Sequence, residues 1–123
     1  MPDARLTNHQ KGVLGEVEAE RLLTQNGMQC LDRRYHSPCG EIDLIMLDKE
    51  TLVFVEVKAR TFRTLSEAQN AVSPSKQRKI IQTALYYLNE HPEHADRLMR
   101  FDVVSISGSF VHHIPNAFQG YGW

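Results

Sequence analysis

No run of apolar residues in this sequence reaches the length that a bilayer span requires, and Met1-Pro2-Asp3-Ala4-Arg5-Leu6 lacks the apolar middle of a secretion signal. No membrane association is expected, and the protein is expected to be cytoplasmic. Cysteine is scarce too. Cys30 and Cys39 are the only two, which makes a disulfide framework improbable, and without an export signal both are expected as reduced thiols. An excess of charge of either sign is also missing, since the formal net charge of −1 does not announce a polyanionic partner. There are no internal repeats, low-complexity segments or obvious linkers to divide the chain. At 123 residues with 41% hydrophobic content it is long enough for one domain with a real core and short for two. Residues 1–118 are expected to form that domain, with residues 119–123 as a tail.

What is present is a pair of strands that carry charge where charge is unusual. Gly40-Glu41-Ile42-Asp43-Leu44-Ile45 and Val53-Phe54-Val55-Glu56-Val57-Lys58 both alternate polar with aliphatic residues at period 2. A hairpin closed about Lys49-Glu50 pairs Leu47 with Leu52, and the same register sets Asp43 against Glu56 and Glu41 against Lys58. Like charges opposed on a bare sheet are destabilising. A hard divalent cation with oxygen ligands turns that repulsion into coordination.

Around this hairpin the remaining elements can be read from periodicity and capping. Thr7 to Gly27 predicts a helix, with Thr7-Asn8-His9-Gln10 as a capping box and Gly27 as terminator. Gly12, Glu16, Ala19 and Leu23 share one stripe of it, so Glu16 projects from a small and apolar face expected to pack on the sheet. Met28 to Tyr35 reads as a strand and His36 to Gly40 as a turn. A short helical piece is expected around Ser66 to Val72. Ser73-Pro74 opens a longer helix that His91-Pro92 ends, with Ile80, Ile81, Ala84, Leu85 and Leu88 as its apolar face. Phe101 to Ile106 is a strand, and Phe110 to Ile114 an edge strand stopped by Pro115. The order describes a mixed α/β domain with helices packed on a central sheet.

Phosphodiester hydrolysis needs charge neutralisation on the non-bridging oxygens and a hydroxide-like nucleophile, and a divalent ion supplies both. Asp43 and Glu56 are the candidate direct ligands of magnesium, or manganese in its place, with the Val57 carbonyl as a further oxygen. Glu16 is a candidate for a metal-bound water or a second ion. Lys58 would orient the nucleophile or stabilise developing charge. The stretch after the hairpin is locally basic, and Arg60, Lys76, Arg78 and Lys79 are the candidate nucleic-acid contacts. Lys76, Arg78 and Lys79 crowd the first turns of a helix, where cations oppose the dipole unless an anion binds. His36 with Cys39, and His112-His113, lack a second ligand pair at zinc spacing and are taken as non-metal positions. Tyr86, Tyr87 and Phe101 are read as packing residues.

Asp43, a dozen residues, then Glu56-x-Lys58, preceded by helical Glu16, resembles the site of the restriction-endonuclease-like superfamily. More narrowly, the chain resembles the YraN-like family of predicted bacterial nucleases, relatives of archaeal Holliday-junction resolvases. The likeness runs through Gly12 to Glu16, Gly40 to Ile45, Val53 to Lys58, Lys76 to Lys79, Arg100-Phe101-Asp102-Val103 and Asn116-Ala117-Phe118. Arg34, where the family pattern has asparagine, and Thr64-Leu65, where it has Phe-Gly, depart from it. The resemblance implies an α/β, restriction-endonuclease-like core and catalytic roles for Glu16, Asp43, Glu56 and Lys58. It implies a magnesium-dependent endonuclease acting on DNA, branched or structured DNA included, and by analogy with resolvases a homodimer. The alternatives are a non-catalytic nucleic-acid-binding module with a vestigial metal site, and a protein-interaction or scaffold role.

Overall fold

A computed structural model describes residues 8–108 and 110–119, with the side chains of residues 8–13 and 69 outside that description. The elements in chain order are α1 (Asn8–Gln25), β1 (Gln29–Ser37), β2 (Gly40–Asp48), β3 (Thr51–Lys58), α2 (Leu65–Asn70), α3 (Pro74–Glu90), a 3-10 turn at Pro92–His94, β4 (Met99–Ser107) and β5 (Phe110–Phe118). The expected capping box at Thr7 falls outside the described residues, as do residues 120–123 of the expected tail. Ser73 caps α3 as its sequence predicts: its side chain accepts from the Lys76 amide at 3.1 Å, and Pro74 follows in the first turn. Thr64 does the same for α2 by accepting from the Glu67 amide.

The five strands make one sheet in the order β1-β2-β3-β4-β5. Neighbours are antiparallel except β3 and β4, which run parallel because α2 and α3 carry the chain across between them. α1 covers one face, where Ala19 and Leu23 meet Leu44, Met46, Val53, Val55 and Val104. α2 and α3 cover the other, where Ala68, Ile80, Ala84 and Tyr87 meet Ile45, Phe54, Phe101 and Val103. Phe101 stacks between Phe54 and Phe118 at centroid distances of 5.5 and 5.2 Å. Tyr87 and Phe101 are thus packing residues, whereas Tyr86 is 40% exposed. This is a restriction-endonuclease-like α/β arrangement, a mixed sheet flanked by helices. None of the described helices is long and apolar enough to cross a membrane.

Three departures from the sequence reading have physical causes. β5 does not stop at Pro115 but continues to Phe118, with Ile114 paired to Val103 and Phe118 to Phe101. The register slips there because Asn116 takes a left-handed φ of 52° and bulges the strand. Proline is tolerated because β5 is an edge strand and no neighbour needs its missing N–H.

The second departure is in the hairpin. Leu47↔Leu52 pairs as expected, and registered pairs run from Asp48↔Thr51 to Leu44↔Val55. Beyond that point the Asp43 carboxylate, not a backbone carbonyl, accepts from the Val57 amide at 2.8 Å. Glu41 does not meet Lys58: it lies 3.2 Å from His36 Nδ1, while Lys58 turns to Glu56.

Third, strict alternation fails at Asp43. Ile42 packs in the α3 layer and Leu44 in the α1 layer, although both should share one face. On β1, Arg33↔Leu44 and Tyr35↔Ile42 set Arg34 level with Asp43, and Arg34 has φ of 49°. Both strands therefore change face at one level. Gly40 starts β2 with φ of 151° and approaches α3 so closely that an added Cβ would meet Thr83 Oγ1 at 3.4 Å.

The other buried charge in the sheet is Asp102, which is 0% exposed. Arg100 donates Nε and Nη2 to it at 2.9 and 3.0 Å, the Asn116 amide donates at 2.9 Å, and His113 Nε2 lies at 2.6 Å. Burial alone would raise the pKa of Asp102. The hydrogen bonds from His113, Arg100 and Asn116 outweigh it and hold the carboxyl below its ordinary range. Arg100 Nη1 also reaches Asp48 at 3.1 Å, so the knot ties β2, β4 and the β5 bulge together.

Candidate acidic site

Asp43 stands where β2 and β3 leave their ladder, and Glu56 stands on β3 beside it. Both line a cavity of about 420 Å³, and Glu16 of α1 lines the same cavity. Leu14, Val57 and Ile106 add apolar surface to the same lining. Gly15 allows this close approach of α1 to the sheet: a Cβ there would lie 3.3 Å from Ile106 Cδ1. The helix stripe thus delivers Glu16 to the sheet acids as its spacing predicts. Its first member, Gly12, lies where only the backbone is described.

The electrostatics of the pair are strained. Burial raises the pKa of Glu56, the Asp43 charge raises it further, and Lys76 and Lys58 only partly offset this, leaving it at about 7. Burial likewise raises Asp43; the Val57 amide opposes the rise and the Glu16 charge adds to it. Lys58 Nζ lies 3.7 Å and Lys76 Nζ 3.9 Å from Glu56 Oε1. Lys76 therefore belongs to the acid cluster itself, a position that its reading as a backbone contact had missed. The signal was available: Ser73-Pro74 fixes where α3 starts, and Lys76 is in its first turn.

Glu16 is not turned fully toward the pair. Its Oε1 accepts from Arg34 Nε at 2.9 Å. Among the described residues no three His, Cys, Asp or Glu side chains are gathered closely enough to hold an ion. Asp43 and Glu56 together still fit a hard cation, since a half-buried and a buried carboxylate that resist ionising side by side would be relieved by a divalent charge. The other basic candidates lie apart from the cavity lining. Arg60 sits 5.0 Å over the Phe62 ring, and Arg78 and Lys79 are exposed on α3. Arg34 was missed as a site residue. Its signal was a pair of consecutive arginines, Arg33-Arg34, facing two acids one helical turn apart, Glu16 and Glu20.

The uncharacterised protein family UPF0102 matches residues 15–106. A UPF0102 protein of Acinetobacter baylyi is 40% identical, covering 97% of this chain and 86% of its own length. Another, of Rhodopseudomonas palustris, is 42% identical, with coverages of 94% and 84%. A third, of Desulfosudis oleivorans, is 44% identical, with coverages of 89% and 90%.

Proposed function

The chain belongs to the UPF0102 family, and on that premise we propose that it is a metal-dependent endonuclease that hydrolyses phosphodiester bonds in DNA in the cytoplasm. The observation that carries this reading is the pairing of half-buried Asp43 with buried Glu56, both pKa values raised, lining one cavity with two ammonium groups near Glu56. Asp43 and Glu56 would hold magnesium or manganese. Such an ion, when bound, supplies neutralisation of the phosphate oxygens and a nucleophilic hydroxide at neutral pH. Lys58 and Lys76, 3.7 and 3.9 Å from Glu56 Oε1, would be within reach of a phosphate bound beside the pair and could donate to it. Lys58 is the better placed to orient the attacking water, because it shares the β3 face with Glu56. Lys76 adds its charge to the positive end of the α3 dipole, and both favour an anion.

The test is cleavage of a DNA panel containing junctions, flaps, single strands and duplex, with magnesium or manganese. Asp43→Asn and Glu56→Gln are each expected to abolish cutting while leaving salt-dependent binding nearly intact. Cutting that survives both substitutions and chelation of the metal would overturn the reading. A second reading, a nucleic-acid-binding module with a vestigial site, is favoured by one observation: Glu16 is engaged by Arg34. It predicts binding across the panel with no cutting of any member.

A further inference from the structure

The Arg34 side chain occupies a position that the endonuclease reading does not use. We propose that Arg34 is a built-in cation that holds Glu16 out of the ion site, so that the cavity takes one divalent ion and not two. This rests on the reading of Asp43 and Glu56 as metal ligands.

The geometry behind it is local and specific. Consecutive residues on a strand ordinarily point to opposite faces, yet Arg33 and Arg34 both reach α1. Arg33 donates to Glu20 at 2.5 and 2.7 Å, and Arg34 donates to Glu16, one turn earlier, at 2.9 Å. The left-handed φ of 49° at Arg34 is what brings the second side chain round. The register then sets Arg34 level with Asp43 on the adjoining strand. A fixed positive charge thus stands on the neighbouring strand at the level of Asp43, with its head group on Glu16.

Two divalent ions a few ångströms apart need more carboxylate than Asp43 and Glu56 supply, and the other acids lining the cavity are Glu16 and Glu18. Glu18 pairs with Arg21 of its own helix, largely exposed, whereas the less exposed Glu16, whose charge reaches Asp43, is held across to β1 by Arg34. One magnesium that keeps several of its waters needs only the pair. An arginine in this role stays charged at every working pH, so the restriction does not lift as a histidine or lysine contact would. Arg34 is in this sense a positioning residue, acting through Glu16.

The experiment is manganese titration of the full chain, with free ion read by its paramagnetic resonance signal. Wild type is expected to bind one ion. Arg34→Gln is expected to bind a second, or to bind the first roughly tenfold tighter as a nearby positive charge is lost. Arg34→Lys, which keeps the charge, should stay at one, and Glu16→Gln added to Arg34→Gln should restore one. A wild-type stoichiometry of two overturns the inference, as does an Arg34→Gln protein with one ion at unchanged affinity; in either case the metal reading of Asp43 and Glu56 stands. A wild type that binds no manganese overturns both.

Discussion

Asp102 and Glu56 are buried acids of adjacent strands, with half-buried Asp43 beside Glu56 on the next strand, and the surroundings treat Asp102 and the Asp43–Glu56 pair in opposite ways. Asp102 has a bidentate arginine, a histidine and a backbone amide, and its carboxyl is held below the ordinary range. Asp43 and Glu56 face each other's charge, and both are pushed above it. The first arrangement satisfies a charge for the sake of the fold, because it locks the β5 bulge onto β4. The second leaves charge under-compensated next to a cavity, which is the ground for the proposal that it takes a cation. Burial alone does not set the state of an acid; the donors around it do.

The sharpest way to break this contrast is to remove each acid. Asp102→Ala is expected to cost about 3–5 kcal/mol, because Arg100 is left half-buried without its main partner and the Asn116 amide loses its acceptor. Asp43→Asn should stay within about 1 kcal/mol of wild type, and above neutral pH it should stabilise, since it removes one of two opposed charges. Urea denaturation of both variants at pH 8 without divalent ions decides the matter. Equal losses would show that the two acids play the same part.

Acidity gives a second and smaller separation. Glu56 has a folded pKa of about 7, above the unfolded value for glutamate near 4.3, so the folded state binds its proton more tightly. Without metal, stability should therefore rise as pH falls from 8 to about 5, by on the order of 2 kcal/mol. Asp102 has the opposite sign. Its contribution is present above the unfolded aspartate pKa near 3.9 and is lost as pH drops below it, so stability should turn down again in strong acid. Glu56→Gln should flatten the neutral limb and leave the acid limb. Millimolar manganese should also flatten the neutral limb in wild type, because the ion binds the ionised pair and stabilises the folded state most at high pH. Thermal melts across this range, with and without manganese, read both limbs.

Much of this was legible in the sequence. Alternation marked β2 and β3, the hairpin register followed from its two-residue turn, and Ser73-Pro74 placed α3. The Glu16 stripe is set by helical spacing and needs no knowledge of the sheet. What escaped has a common origin in backbone that leaves the ideal. Ile42-Asp43-Leu44 reads as regular alternation, but the two aliphatic residues enter different layers. Arg34 and Asn116 take left-handed φ values that their residue types permit without announcing. Arg100 and Asp102 could be matched by period 2, whereas His113 and the Asn116 amide reach Asp102 only once the bulge has shortened the path along β5. Pro115 reads as a stop because proline lacks a donor, and an edge position removes that objection.

The finest test lies in the two bridges between β1 and α1. Glu20 takes two hydrogen bonds from Arg33, the better geometry of the two, and Glu16 takes one from Arg34. Arg33 and Arg34 are both largely exposed, with side chains 63% and 43% accessible, so neither bridge is expected to contribute more than about 1 kcal/mol. Glu20→Gln should lower stability by about 0.5 kcal/mol, and less at high salt, where exposed charges are screened. Glu16→Gln should cost no more. The two variants should part only when manganese is added, because Glu16 lines the cavity with Asp43 and Glu56 while Glu20 lies outside that lining. Manganese affinity should be unchanged by Glu20→Gln and weakened by Glu16→Gln, which leaves the Arg34 charge uncompensated near the cavity, read in the same titration. Similar bridges one turn apart would then differ in function through position alone, as the two buried acid centres differ through their donors.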